Sequence, residues 1–273
     1  GFYTPNIFIR IGLFVLTIII MLFSLGLLAL IFLSALDESL FSGLTIFFAI
    51  LCYVALEYMV RTKNHYCSGV DDGLLWGASV ALFCAISLPY DLSGLTNCLI
   101  IFMISLGATL RYADKLMAAV AYFSLAGIFF YACVESGSIA KAIAPFIIMA
   151  VSLAIYLAVT RLTIKKNNPC FTGCLKMIEI SALISLYAAG KYYAVRELSN
   201  SMFNLNLLPG DSIPFGWMFW VFTILIPVIY LARGIQKKDA VLMRVGLILF
   251  AAIVFTVRYY HTILPLEIVM TFG

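Results

Sequence analysis

Long apolar runs alternate along this chain with short polar breaks, and the charge of the breaks alternates too. Ten runs can be marked: approximately Ile11 to Leu36, Leu40 to Val60, Gly73 to Leu88, Gly94 to Leu110, Leu116 to Val134, Ala142 to Leu162, Leu175 to Ala194, Phe215 to Ala232, Ala240 to Val257 and Ile263 to Gly273. A helix crossing a bilayer needs roughly 20 apolar residues, and most of these runs meet that length. Composition excludes the soluble alternative. With 64% hydrophobic and 11% charged residues and a mean hydropathy of +1.10, there is too little polar surface to coat a water-soluble globule. The sequence predicts an all-α fold, a polytopic transmembrane helix bundle of about ten spans with little mass outside the bilayer.

Counting each run as one crossing sorts the 17 basic residues unevenly. One face receives Arg10, then Arg61 and Lys63, Arg111 and Lys115, Arg161, Lys165, Lys166 and Lys176, and finally Arg233, Lys237, Lys238 and Arg244. The other receives only Lys141, Lys191, Arg196 and Arg258. A span miscounted in the middle would scramble this split, so it fixes span number and orientation together. The basic face is expected in the cytoplasm, with the N-terminus. The net charge of +4 thus reports orientation. A nucleic-acid binder would gather its cations on one folded surface instead of distributing a few to each break.

The tenth run is too short to cross at about 1.5 Å per residue. Together with Gly1 in place of an initiator Met and the lack of a polar tail, this predicts a truncated last span in a fragment of a longer chain. The first run is too long in its apolar core, and Ser34-Ala35-Leu36 too poor a cleavage site, for a signal peptide. Residues 1–273 read as one transmembrane domain. Asp37-Glu38-Ser39 and Pro89 to Ser93 form outer turns, and Pro145 is expected in the first turn of its span, where a missing N–H costs little. Pro227 lies well inside the eighth run, frees the carbonyl of Thr223, and is the candidate hinge. The stretch from Glu197 to Pro214 interleaves Met202, Phe203, Leu205, Leu207 and Leu208 with Asn200, Asn204 and Asn206, which suits a segment lying at the headgroups.

A parallel four-span repeat, about 40–134 and 142–257, is suggested by two matches. Lys63 to Gly69 sets against Lys166 to Gly173, and Arg111 with Asp114-Lys115-Leu116-Met117 against Arg233 with Asp239 to Met243. The even offset keeps both copies in one orientation, whereas inverted-repeat transporters need an odd one.

No catalytic motif stands out. His65 and His261 fall on opposite faces, about 30 Å apart, and cannot share a metal. Cys67, Cys170 and Cys174 share the cytoplasmic face with His65, but their spacing is not diagnostic, and unpaired thiols are expected in a reducing compartment. Neither metal nor cofactor is implied. Glu57 and Glu179, each expected near the cytoplasmic end of its span, are the candidate intramembrane acids. Each has a basic residue at helical spacing, Arg61 and Lys176 respectively, so local ion pairs are the expectation.

On the sparsely charged outer face, Lys191-Tyr192-Tyr193 with Arg196 closes the seventh span. Arg258-Tyr259-Tyr260-His261 closes the ninth, followed by Glu267. Aromatic belts and snorkelling account for each half. If the two spans are neighbours, Lys191, Arg196, Arg258 and His261 make a candidate anion pocket for a phosphate or carboxylate, with Glu267 as counter-charge or base. Gly69, Gly73 and Gly77 recur every four residues, the small-residue spacing that lets helices approach; packing of the third span is the expected role.

The segment Val257 to Glu267, and more loosely Arg111-Tyr112-Ala113-Asp114-Lys115, resembles multipass membrane proteins of Bacteroidota that carry no assigned activity. The resemblance implies a bacterial inner membrane. In architecture alone the chain is similar to the drug/metabolite transporter superfamily, from which it departs in its even repeat offset and long outer loop. Three functional readings follow. The leading one is a transporter-like protein for a small or lipid-linked anionic solute. The second is a membrane-embedded enzyme acting on a lipid-linked substrate at the outer leaflet, with His261 or Glu267 as general base. The third is a noncatalytic anchor or scaffold. Expected partners are the bilayer and an anionic small molecule or lipid headgroup, with no nucleic acid.

Overall fold

Without water to satisfy backbone groups, a spanning segment must bond its own N–H and C=O groups, and the helix does so within one segment. The computed structural model describes residues 6–31, 38–62, 68–165, 169–191, 194–195 and 216–261. Among them it has nine helices and no strand: α1 (Ile7–Ile31), α2 (Glu38–Thr62), α3 (Val70–Ser87), α4 (Gly94–Tyr112), α5 (Lys115–Glu135), α6 (Ser138–Lys165), α7 (Pro169–Gly190), α8 (Gly216–Lys237) and α9 (Ala240–His261). Eight are long and apolar enough to cross a membrane, and the protein is a polytopic helical membrane protein. The helices follow the first nine apolar runs in order. The tenth run and the 197–214 stretch lie outside the described residues.

Several boundaries shift, α7 for example beginning at Pro169 and not at Leu175, and in α6 the shift moves a proline. Pro145 sits inside α6, not in its first turn. Gly137, at φ 112°, starts the helix earlier, and its carbonyl accepts from Lys141 N–H at 3.1 Å. Lys141 is therefore absorbed into the helix instead of marking its edge.

The chain divides into two compact units, 1–124 and 125–273, with the break inside α5. In the first unit α3 packs on both α1 and α2. Ser42 Oγ at the start of α2 donates to the carbonyl of Ala85 near the end of α3 at 2.8 Å, so this pair is antiparallel. With α1 the pairing is parallel, as two crossings in one direction require, and the glycine stripe makes it. A Cβ on Gly69 would strike the Arg10 carbonyl, one on Gly73 would lie 2.9 Å from Thr17 Cγ2, and one on Gly77 would meet the Met21 methyl. Met21 then joins Phe48, Ala49, Cys52, Ala78 and Ala81 in the core between the three helices.

In the second unit α6 packs on α7, α8 on α9, and α7 touches both α8 and α9. Its core gathers Leu183 and Tyr187 from α7, Ile226 and Tyr230 from α8, and Leu242, Val245 and Leu249 from α9. The Tyr230 hydroxyl donates to the Leu183 carbonyl across the α7–α8 contact at 3.1 Å. Pro227 is fully buried and lies within an α8 that continues to Lys237.

The glycine contacts separate two substitutions. Gly69 has φ 99° and faces backbone, whereas Gly77 faces the mobile end of a methionine. Gly69→Ala should destabilise the purified protein by at least about 1–3 kcal/mol from backbone strain alone. Gly77→Ala should cost clearly less. Thermal melts in detergent check the order, and equal losses would refute the assigned contacts.

Candidate functional site

The first unit collects its charges at one end. Asp71, in the first turn of α3, bends back so that its Oδ1 accepts from Ser68 N–H at 2.8 Å, Ser68 Oγ at 3.0 Å and Gly69 N–H at 3.0 Å. It thereby satisfies donors that a helix start leaves open. Asp72 turns the other way and accepts from Arg10 of α1, Nη2 at 2.6 Å and Nε at 2.9 Å. The close approach at Gly69 and this ion pair fix the same two helix ends.

Glu57 is the hub of the same end. Its Oε1 accepts from the Tyr112 hydroxyl at 2.8 Å, Arg111 Nε at 3.2 Å and the Tyr53 hydroxyl at 3.4 Å. Its Oε2 accepts from Arg61 Nε at 2.6 Å and Arg111 Nη2 at 3.2 Å. A carboxylate offers about four lone-pair positions, and these donors fill them. The expected pair with Arg61 forms, but Arg111 and Tyr112 tie the end of α2 to the end of α4. Their sequence separations of 54 and 55 residues put that link beyond any spacing argument. Such a saturated carboxylate has no room for a further ligand, and the cluster acts as a clasp between helices.

Also in this unit, α3, α4 and α5 border a cleft of about 160 Å³ lined by Trp76, Phe83, Ile101, Ile104 and Met117 among others. Ser79 and Ser105 line it too, yet their hydroxyls bond to the carbonyls of Leu75 and Ile101 in their own helices. The cleft offers apolar contact only.

The second unit holds two polar positions of another kind. Glu179 is buried in α7. No ion pair joins it to Lys176, whose side chain is exposed. Beyond the end of the same helix at Gly190, Val195 N–H bonds to the Lys191 carbonyl at 3.1 Å. Val195 packs on Phe219 of α8. Gly190 lets Ile226 and Met149 close in, its would-be Cβ lying 2.9 and 3.4 Å from them. Lys191, half-buried there, holds its ammonium 5.9 Å from the centre of the Tyr187 ring, a cation–π distance. Burial lowers the Lys191 pKa below the ordinary lysine value. The Tyr187 hydroxyl is buried and has no hydrogen-bond partner among the described residues. Sequence reading passed over Tyr187, although its place four residues before Lys191 sets both on one helix face.

Of the outer group, Lys191 alone is described in full. Arg196 and Glu267 lie outside the described residues, as do the side chains of Arg258 and His261, whose backbone forms the last turn of α9. The condition set by the sequence, that the seventh and ninth spans be neighbours, is met by the α7–α9 contact. His65 and Cys67 are also outside the described residues; Cys174 is buried. No group of three metal-ligating side chains occurs among the described residues.

Tyr112→Phe should destabilise the protein by about 1.5–3 kcal/mol, the range for a hydrogen bond to a charged group. Arg61→Met, at a largely exposed side chain, should cost under about 1 kcal/mol. Chemical denaturation of the two variants checks the ranking; the reverse order would show that Glu57 is held from its own helix and not from α4. Compared with known protein families, curated proteins and solved structures, the chain matches none.

Proposed function

We propose that this membrane protein handles a small or lipid-linked anionic solute, transporter-like, with its basic helix ends in the cytoplasm of a bacterium and its solute site at the outer end of α7. One observation carries the reading: Lys191 and Tyr187. An ammonium held half-buried over an aromatic ring is poorly solvated, and a buried phenol hydroxyl without a partner leaves a donor unused, at a cost of about 1–3 kcal/mol. A phosphate or carboxylate oxygen reaching this position would accept from the Tyr187 hydroxyl and gain a charge-assisted contact with the Lys191 ammonium. Pro227, which removes one backbone bond from the neighbouring α8, supports the reading by giving that helix a point of bending.

The test uses the full chain in nanodiscs, with inorganic phosphate and a short-chain phosphatidic acid as probes. A ligand at a hundredfold excess over its Kd stabilises by about 2.7 kcal/mol, so a rise in Tm is the readout. Wild type and Lys191→Arg should both be stabilised; Lys191→Met and Tyr187→Phe should lose most of the gain. Response to phosphatidic acid but not phosphate identifies a lipid-linked solute, and response to both a free anion. The sign of the pH effect follows from burial, which disfavours the ammonium. In wild type the gain should fade on the alkaline side at a lower pH than an ordinary lysine predicts, and in Lys191→Arg it should persist. Equal stabilisation of wild type and Lys191→Met refutes the assignment.

A further inference from the structure

We propose that Glu179 is a proton-binding site within the membrane-embedded part of the second unit. It lies near the middle of the 20-residue apolar stretch Phe171–Gly190 of α7, and 9% of its surface is exposed. Among the described residues no side chain forms an ion pair or hydrogen bond with it.

The groups that face it come from each packed element. On its own helix Lys176 stands three residues away, exposed, and acts only through space. Asp239, which caps α9, acts on it with like charge. On α6, Tyr156 is in the fields of both Glu179 and Asp239, and Arg233 of α8 acts on that tyrosine. Asp239 is already committed, its Oδ1 accepting from Val241 N–H at 2.9 Å as the cap of α9.

An anion here would be largely removed from water, would accept no donor among the described residues, and would face a second carboxylate. Every one of these conditions is reversed at Glu57, where two arginines and two tyrosines donate to the carboxylate. Glu179 can resolve them without a protein partner by taking up one proton: carboxylate and proton combine to the neutral acid, and no other bond changes. A reversibly protonated acid inside a spanning helix is the chemical requirement for coupling solute movement to a proton gradient.

The inference stands on α7 and its neighbours and does not depend on the Lys191 site. The full-length chain in nanodiscs is examined by infrared spectroscopy across pH. Wild type should show the carbonyl stretch of a protonated carboxylic acid at neutral pH, and Glu179→Gln, nearly isosteric, should lose it. Asp239→Asn keeps an oxygen for the helix cap and removes the like charge; it should move the titration of that band to lower pH. Absence of the band from wild type at neutral pH overturns the proposal whether or not any variant folds, and so does its persistence in Glu179→Gln. Phosphate stabilisation should survive Glu179→Gln, which keeps the outcome separate from that of the outer-face site.

Discussion

Lipid tails are as apolar as leucine, so the hydrophobic effect that packs a soluble core does not draw one spanning helix to another. What remains is close contact between backbones and the few polar groups that hydrocarbon will not solvate. The start of α3 uses both in the space of five residues. Gly69 brings its backbone against the Arg10 carbonyl, Asp71 closes the helix start, and Asp72 takes the Arg10 guanidinium. The remainder of the first unit is arranged around that junction. Gly73 and Gly77 continue the approach along α1, and α2 packs on α3 as well, meeting α1 in the core around Met21, Cys52 and Ala78. Adding side-chain volume at Gly69 would therefore disturb the helix pairing and the ion pair together.

The two acids of the spans show how far context outweighs residue type. Glu57 and Glu179 looked equivalent as sequence, each with a basic neighbour one turn away. Glu57 stands where four helix-end side chains converge on its oxygens, and it works as a clasp. Glu179 lies deeper along its helix from the basic end, and the lysine meant to pair with it points to the surface. The same carboxyl is saturated in one unit and, among the described residues, unbonded in the other. A long lysine side chain seeks water and carries its charge away from a buried partner, which is why spacing of three residues did not guarantee a pair.

Span number and order were legible because hydropathy and the distribution of Lys and Arg each report them, and the described helices follow the first nine runs. Packing of the Gly69, Gly73 and Gly77 stripe was legible too, since small residues at a four-residue spacing have a single geometric use at close range. Helix ends were less so: a charged residue such as Lys141 was read as a boundary although its stem can extend along a helix toward water. The polar contacts were mostly invisible. Arg10 with Asp72 and Arg111 with Glu57 join residues more than fifty positions apart, and only the fold brings them together. Tyr187 was hidden for a different reason. Its significance is the lack of a partner among the described residues, which no local pattern encodes.

The turns after α4 and α8 bear on the internal likeness read from the sequence. In each, a residue other than glycine takes a left-handed conformation, Ala113 at φ 50° and Lys238 at φ 53°. The aspartate that follows then caps the next helix, Asp114 through Met117 N–H and Asp239 through Val241 N–H. Both devices answer one demand. Two antiparallel helices joined within a few residues must end the first by reversing the backbone and start the second by satisfying its open N–H groups. Aspartate does the second best where the helix dipole favours negative charge. The match between Arg111–Met117 and Arg233–Met243 is thus what a tight basic-end turn requires, and the physical demand is sufficient to produce it twice. Glu179, without an ion pair among the described residues, answers no such demand of folding. Burying an unpaired acid weakens the bundle, so its presence in α7 points to use rather than to structure.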